Sequence, residues 1–341
     1  MKGSLILSDG SAFHGELLGG PAAGPVVCDN TMIDYEAMLA EPAYIGAILV
    51  MCYPGAGFFG VTEKLLASEV TPAAVVVRGL CGTPSNYMCR GPLGEFLLSR
   101  GVSLLHGVDT RSVVRRFRAG AVSGAIIEGA PNEESISKVK SLDTYSPTTS
   151  SMSTPRSYPA AGAAVAILDF GGGETLARRV NALGHGATVY PRGASAGELI
   201  TSGAKGVIIT DGPGDPLTMG GLIPAVKEII RSGLPVLALG LGHFLCALAR
   251  GLEIKPGLAV SGWGFPIRDA ANARIYIGPK TRGIRVLPGA SCEVTYADAD
   301  DGSARGLRYT GTSVSGVDFT PDDSCDGFGT GHILADFLAG L

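Results

Sequence analysis

The 341-residue sequence is poor in charge and lacks both a long apolar run and any paired-cysteine motif, and each scarcity closes off a class of function. Charged residues make up 17% of the chain, the net charge is −4 and there is no long basic run, so nucleic acid is not expected as a partner. Hydrophobic residues reach 45%, yet no unbroken apolar stretch approaches the ~18 residues of a membrane span, so no membrane is expected either. The opening, Met1 to Gly10, turns polar too soon for a signal peptide. Cys28, Cys52, Cys81, Cys89, Cys246, Cys292 and Cys325 are odd in number and form no CxxC pair. That usage fits reduced thiols in a cytoplasmic protein better than a disulfide frame or a zinc site. Glycine, in contrast, is abundant at 51 residues without any repeating period, which implies many tight turns and close packing.

A single missing side chain is more informative. In "PVLALGLGHFLCALARG", residues 235–251, a short apolar strand runs into a helix through Ala238-Leu239-Gly240-Leu241-Gly242. Small residues on either side of a central position are the requirement of a nucleophile elbow, whose central residue takes a strained conformation. Here the central residue is Gly240, which carries nothing that can attack a substrate.

Around this stretch the chain divides in three. Residues 1–130 mix strands and helices: "SLILSDGSAFHGELLG" reads as two strands joined at Asp9-Gly10, "GAILVMCYPG" as a buried strand, and Asp109 as the N-cap of a helix ending at Gly120. Residues 131–162 read as a linker or crossing segment with a short helix at 131–141 and then a Ser/Thr/Pro-rich run. From 163 to 341, apolar strands alternate with helical stretches, the pattern of an α/β, doubly wound, mostly parallel sheet. Ligands of such sheets sit beyond the strand carboxyl ends. "DFGGGE", "TDGPGDP" and "LGLGHF" all fall there and are expected to converge on one pocket.

Together these stretches resemble the small, glutamine-hydrolysing subunit of carbamoyl-phosphate synthetase, with a class I (triad-type) glutamine amidotransferase domain in the C-terminal half. Leu168-Asp169-Phe170-Gly171 resembles that family's D-F-G strand end, and Thr210-Asp211-Gly212-Pro213-Gly214-Asp215-Pro216 its S-N-G-P-G-D-P loop. Ala238 to Phe244 resembles its G-I-C-L-G-H-Q elbow. In the N-terminal half, the opening hairpin, the "VVCDNTMIDYEAMLAEPAYIGAILVMCYPGAGFFGV" segment and the "GVDTR" helix follow the family in order. The resemblance implies the fold of both halves, and a large, ATP- and Mg-using subunit as partner, with no cofactor in this chain.

The family's chemistry does not carry over. Its cysteine nucleophile, histidine base and orienting glutamate map to Gly240, Thr320 and Asp322, and without a thiolate no covalent intermediate forms. Substrate-pocket positions have changed too: the elbow glutamine is Phe244, the serine of D-P-S-Y is Ala43, and N-H-G-F corresponds to Thr281-Arg282-Gly283-Ile284. The surviving pocket positions are backbone, Gly212, Gly214 and the Leu241 N–H, the parts of an oxyanion hole.

Other features have plainer readings. Cys246, on the helix past the elbow, reads as a small core residue, His243 as packing or capping, and His332 as solvated or capping. The three glycines of "DFGGGE" lack the spacing of a phosphate loop. Asp215, Asp322 and Asp323 have no His or Cys at metal-ligand spacing, so no metal is expected. Arg111, Arg115, Arg116 and Arg118 read as a solvated helix face or, by the resemblance, part of a subunit interface. The leading expectation is a catalytically silent small subunit that stabilises or regulates an ammonia-using large subunit, in arginine or pyrimidine biosynthesis. A free-standing paralogue with a larger, less polar pocket for another small ligand, and an active glutaminase, are the alternatives.

Overall fold

The computed structural model describes residues 1–32, 34–120, 122–141, 153–257, 261–322 and 327–341. Its contacts divide into two units, 1–147 with 261–263, and 148–260 with 264–341.

In the first unit, seven strands close into a barrel: β1 (Lys2–Leu7), β2 (Ala12–Leu18), β3 (Ala22–Asp29), β4 (Ile48–Met51), β5 (Ala74–Val76), β6 (Ser103–His106) and β7 (Ser123–Glu128). Their order around the barrel is β1-β2-β6-β5-β4-β3-β7. Strands β3, β4, β5 and β6 are mutually parallel, while the other pairings are antiparallel. Alternate residues of the strands, among them Leu5, Leu7, Leu17, Val26, Ile48, Val50, Val76, Leu105 and Ile126, share one buried cluster, so closure gives every strand a dry inner face. The expected β1–β2 hairpin forms, turning at Asp9-Gly10, with Leu5 opposite Phe13. Helix α1 (Thr110–Arg118) starts where expected, the Asp109 carboxylate accepting the Ser112 N–H. A second helix, α2 (Glu133–Lys140), opens with a capping box between Asn132 and Ser135. The Ser/Thr/Pro-rich run falls largely on 142–152, outside the described residues.

The second unit is built on a ten-stranded sheet. Its elements in chain order are β8 (Arg156–Tyr158), β9 (Ala164–Leu168), α3 (Gly173–Ala182), β10 (Gly186–Tyr190), α4 (Ala196–Ile200), β11 (Gly206–Ile209) and α5 (Ile223–Arg231). They continue with β12 (Val236–Leu239), α6 (Leu241–Ala249), β13 (Gly262–Asp269), β14 (Ile275–Lys280), β15 (Cys292–Asp298), β16 (Ala304–Tyr309), β17 (Val314–Val317) and α7 (His332–Ala339). The spatial order is β8-β10-β9-β11-β12-β17-β16-β15-β13-β14. Strands β10, β9, β11, β12 and β17 form the parallel core, whose first four members carry the alternation legible in the sequence. An antiparallel extension through β16 and β15 lengthens it, and β8 adds an antiparallel edge from within the stretch expected to link the halves.

The parallel strands are apolar on both faces because helices cover both. Ala166, Leu168, Val207, Ile209, Val236 and Ala238 pack toward α4, α5 and α6. Val165, Ile167, Ile208, Leu237 and Leu239 pack toward α3 and α7. This double winding places the carboxyl ends of β9, β11 and β12, and the loops that follow them, side by side.

Candidate functional site

Strand β12 is four apolar residues long and fully buried, and α6 begins two positions after it ends. Only Gly240 makes the turn, at φ 48° and ψ −111°, a conformation that L side chains adopt at a cost. Its N–H donates to the Val317 carbonyl at 2.9 Å, tying the turn to the end of β17. Gly242 is small for a separate reason. A Cβ there would lie 2.6 Å from the Ile209 carbonyl oxygen, so α6 rests on β11 only because that position has no side chain. The elbow therefore persists as backbone geometry.

The space a side chain on residue 240 would occupy is taken by Asp211. A Cβ built on Gly240 would lie 1.9 Å from the Asp211 Cγ and 2.0 and 2.3 Å from its two oxygens. Asp211 Oδ1 accepts hydrogen bonds from the Gly212 N–H at 2.7 Å and the Leu241 N–H at 2.8 Å, and pairs with Arg282 Nη1 at 2.8 Å. Arg282 Nη2 also donates to the Gly212 carbonyl. The pair is withdrawn from water, with side chains 1% and 11% exposed. Asp211 Oδ2 has no hydrogen-bond partner among the described residues. Thr210 Oγ1 accepts from the N–H groups of Phe170 and Gly171, which draws the "DFGG" loop onto the same cluster.

The three loops converge as expected, but on a filled centre. Backbone donors aimed at a developing oxyanion stabilise acyl transfer. Here the donor expected for that role, the Leu241 N–H, is already bound to a carboxylate of the chain itself. The expectation of a larger and less polar pocket is thus corrected. The space a side chain on residue 240 would fill holds an ion pair, because a carboxylate offers acceptors to inward-pointing N–H groups that would otherwise be buried and unpaired.

The remaining candidate positions distribute as follows. Gly214, at φ +110°, lies in the same loop as Gly212. Gly283 directly follows Arg282, and its carbonyl accepts the Gly257 N–H. Phe244, on α6, is 1% exposed and belongs to the hydrophobic core, so its ring packs instead of lining an opening. Thr320 lies beyond β17, its hydroxyl buried without a hydrogen-bond partner among the described residues. Asp322 exchanges two backbone-mediated hydrogen bonds with Thr330. Ala43 belongs to the first unit, in a short 3₁₀ turn at Pro42–Tyr44 where its N–H donates to Glu41. Asp215 caps another such turn through the Leu217 N–H. Asp323 lies outside the described residues, among which no three His, Cys, Asp or Glu gather as metal ligands.

Neighbouring side chains are fixed by burial. Cys246 is fully buried and its thiol is pushed up to about 12. His243 is buried within α6, and burial, reinforced by the positive charge of Arg305, drives its imidazole down to about 3. His332 is partly buried and does not cap its helix. Its ring stacks on Tyr276 at 4.4 Å, with Nε2 3.2 Å from the Tyr296 hydroxyl. The sequence reading did not single out the Asp211–Arg282 pair, although a signal was present: an acid stands in one motif and a base in another where the family has neutral asparagine and a histidine. Nor did it single out Arg305, 1% exposed, which binds Asp318 at 2.6 Å and stacks on Phe319 beside Thr320.

Comparison with known proteins covers both halves. Residues 5–127 match the family model for the carbamoyl-phosphate synthase small chain, CPSase domain, and residues 166–339 that for class-I glutamine amidotransferase. The carbamoyl phosphate synthase small chain of Clostridium perfringens is 31% identical over 336 residues, covering 96% of this chain and 95% of its own. That of Symbiobacterium thermophilum is 33% identical over 353 residues, covering 98% and 97%. With both domains matched in order over nearly its whole length, the chain belongs to the carbamoyl-phosphate synthase small-chain family.

Proposed function

We propose that this chain is a family member without glutaminase activity, acting as a structural or regulatory partner of an ammonia-using large subunit. One observation carries the reading: the Asp211 carboxylate stands where a nucleophile on residue 240 would stand and already holds the Leu241 N–H. A glutamine amide has neither a thiolate to meet nor a vacant donor for its developing oxyanion. Loss of the nucleophile alone costs a triad enzyme a factor on the order of 10⁶ in kcat. The position aligned with the histidine, Thr320, supplies no proton shuttle near neutral pH. The N-terminal half keeps its family match over 5–127, which supports retention of a role beside the large subunit. ATP and Mg would act on that partner and not on this chain.

The test is glutamine hydrolysis by the purified chain, alone and mixed with a carbamoyl-phosphate synthetase large subunit, together with the ammonia-dependent rate of the mixture. Background hydrolysis with co-purification, or with an altered ammonia-dependent rate, is the expected result. Glutamine turnover above background, or no association with any large subunit, would overturn the proposal.

A further inference from the structure

The barrel of the first unit opens a second region that the amidotransferase chemistry does not use. Strands β3, β4, β5 and β6 run the same way, so their carboxyl ends emerge on one side. Asn30 just beyond β3, Cys52 just beyond β4 and Arg78 two residues beyond β5 line one open cleft of about 660 Å³, with α1, which follows β6, along its remaining side. Carboxyl ends of parallel strands are where barrels and open α/β sheets hold ligands. The volume lies within the range of small-molecule sites.

Helix α1 gives the cleft its charge. Arg111, Arg115 and Arg118 all line it, and their i, i+4, i+7 spacing puts them on one helical face. Arg116, off that face, is 3.8 Å from Asp9, while Val113 is buried in the barrel cluster. Like charges stacked at this spacing oppose the helix that carries them. Among the described residues none of Arg111, Arg115 and Arg118 has a carboxylate within 4.0 Å, and Arg115 donates only to the Ser112 hydroxyl. Arg78 reaches Asp109 at 4.0 Å, but that carboxylate already accepts the Ser112 N–H and O–H as the N-cap of α1. Four guanidinium groups from two elements thus face one concave space against a single engaged carboxylate.

From this we infer that the cleft is a binding site for a small anion bearing two or more phosphate groups. Planar guanidinium forks match phosphate oxygens in pairs, and several forks converging from different directions select a compact multiply charged group over a single charge. Concavity at the strand ends favours a small molecule over an extended acidic chain, which would need a row of cations along a surface. The inference is independent of whether the amidotransferase site is silent, since it concerns other residues and other chemistry.

Calorimetric titration of the full chain with inorganic pyrophosphate, and separately with ADP, at low ionic strength tests it. Saturable one-site binding of either is expected, with comparable affinities assigning the site to the phosphates alone and tighter ADP binding assigning it to an organic diphosphate. Arg115→Ala/Arg118→Ala is expected to weaken binding about tenfold or more, the scale of one or two charge-assisted hydrogen bonds, and Arg116→Ala by no more than about twofold. Arg115→Lys/Arg118→Lys, which keeps the charge and loses the forks, serves if the alanine variant does not fold, and is expected to weaken binding as well. As a second readout, pyrophosphate is expected to slow alkylation of Cys52. No saturable binding of either ligand, an equal loss in Arg116→Ala, or binding of an acidic protein that pyrophosphate does not compete away would overturn the inference.

Discussion

Restoring a side chain at the elbow is the sharpest test of how this site is built. Gly240→Ala adds one methyl group, whose carbon would lie 1.9 Å from the Asp211 Cγ. No rotation of Asp211 keeps its present bonds and makes room, because both carboxylate oxygens are also within 2.3 Å. The carboxylate must leave, which breaks its contacts with Gly212, Leu241 and Arg282. Disrupting a buried ion pair costs about 3–5 kcal/mol. Holding a residue with a Cβ in the unfavourable conformation of the elbow adds about 1–3 kcal/mol. The sum, about 4–8 kcal/mol, is a large fraction of the 5–15 kcal/mol that typically holds a domain folded. For a unit of this size that corresponds to a fall in Tm of about 8 °C or more. Thermal unfolding followed by circular dichroism reads it directly. Combination with Asp211→Ala sharpens the test, since once the carboxylate is gone the added methyl costs only the backbone strain. The double variant is therefore expected to lose about 3 kcal/mol less than the two single losses added together. A Gly240→Ala protein within 2 °C of the parent, or strict additivity, would show that Asp211 does not stand where the structure has it. Gly240→Cys is expected to share the destabilisation and to hydrolyse no glutamine.

Three further outcomes follow from other parts of the molecule. His243 is held neutral in the folded protein, with its pKa near 3 against 6.5 when exposed, so the unfolded chain binds a proton that the folded one refuses across that window. Its contribution is complete above pH 6.5 and is lost at about 1.4 kcal/mol per unit as pH falls toward 3. His243→Gln should flatten the fall in Tm measured between pH 7 and pH 5, and an unchanged slope would count against a buried neutral ring. Cys246, fully buried and with its thiol near 12, should resist alkylation in the native state and react only on unfolding, as mass spectrometry of modified peptides can establish. Asp109→Ala removes the cap of α1 and should cost about 1 kcal/mol in denaturant unfolding, whereas Asp109→Asn, which can still accept the Ser112 N–H, should cost less.

Local pattern made much of this protein legible. The hairpin at Asp9-Gly10, the Asp109 cap and the alternation of apolar strands with helices after residue 163 are short-range signals, each set by a few adjacent residues. The seven-stranded closure of the first unit was not legible, because pairing β1 with β7 joins residues more than a hundred positions apart. The same holds for the antiparallel extension of the second sheet: Cys292–Asp298 and Ala304–Tyr309 carry no periodicity that says which edge they join. His332 shows the limit at one residue. Its place at the start of a helix suggested a cap, and only Tyr276 and Tyr296, from two other strands, make it a stacked ring.

At the site, the sequence by itself determined what is absent. Gly240 cannot be a nucleophile in any fold, and the small residues around it require a tight strand-to-helix turn wherever they stand. What replaced the missing group was decided by tertiary structure alone. Asp211 and Arg282 are 71 positions apart, and neither is unusual as a loop residue. Parallel pairing sets the ends of β11 and β12 side by side, which turns the Gly212 and Leu241 N–H groups onto the Asp211 carboxylate, and the chain leaving β14 brings Arg282 to it. Buried donors need an acceptor, and a carboxylate buried with them needs a cation. Those two requirements, neither of which exists until the sheet is assembled, make the centre of this fold an ion pair instead of a cleft.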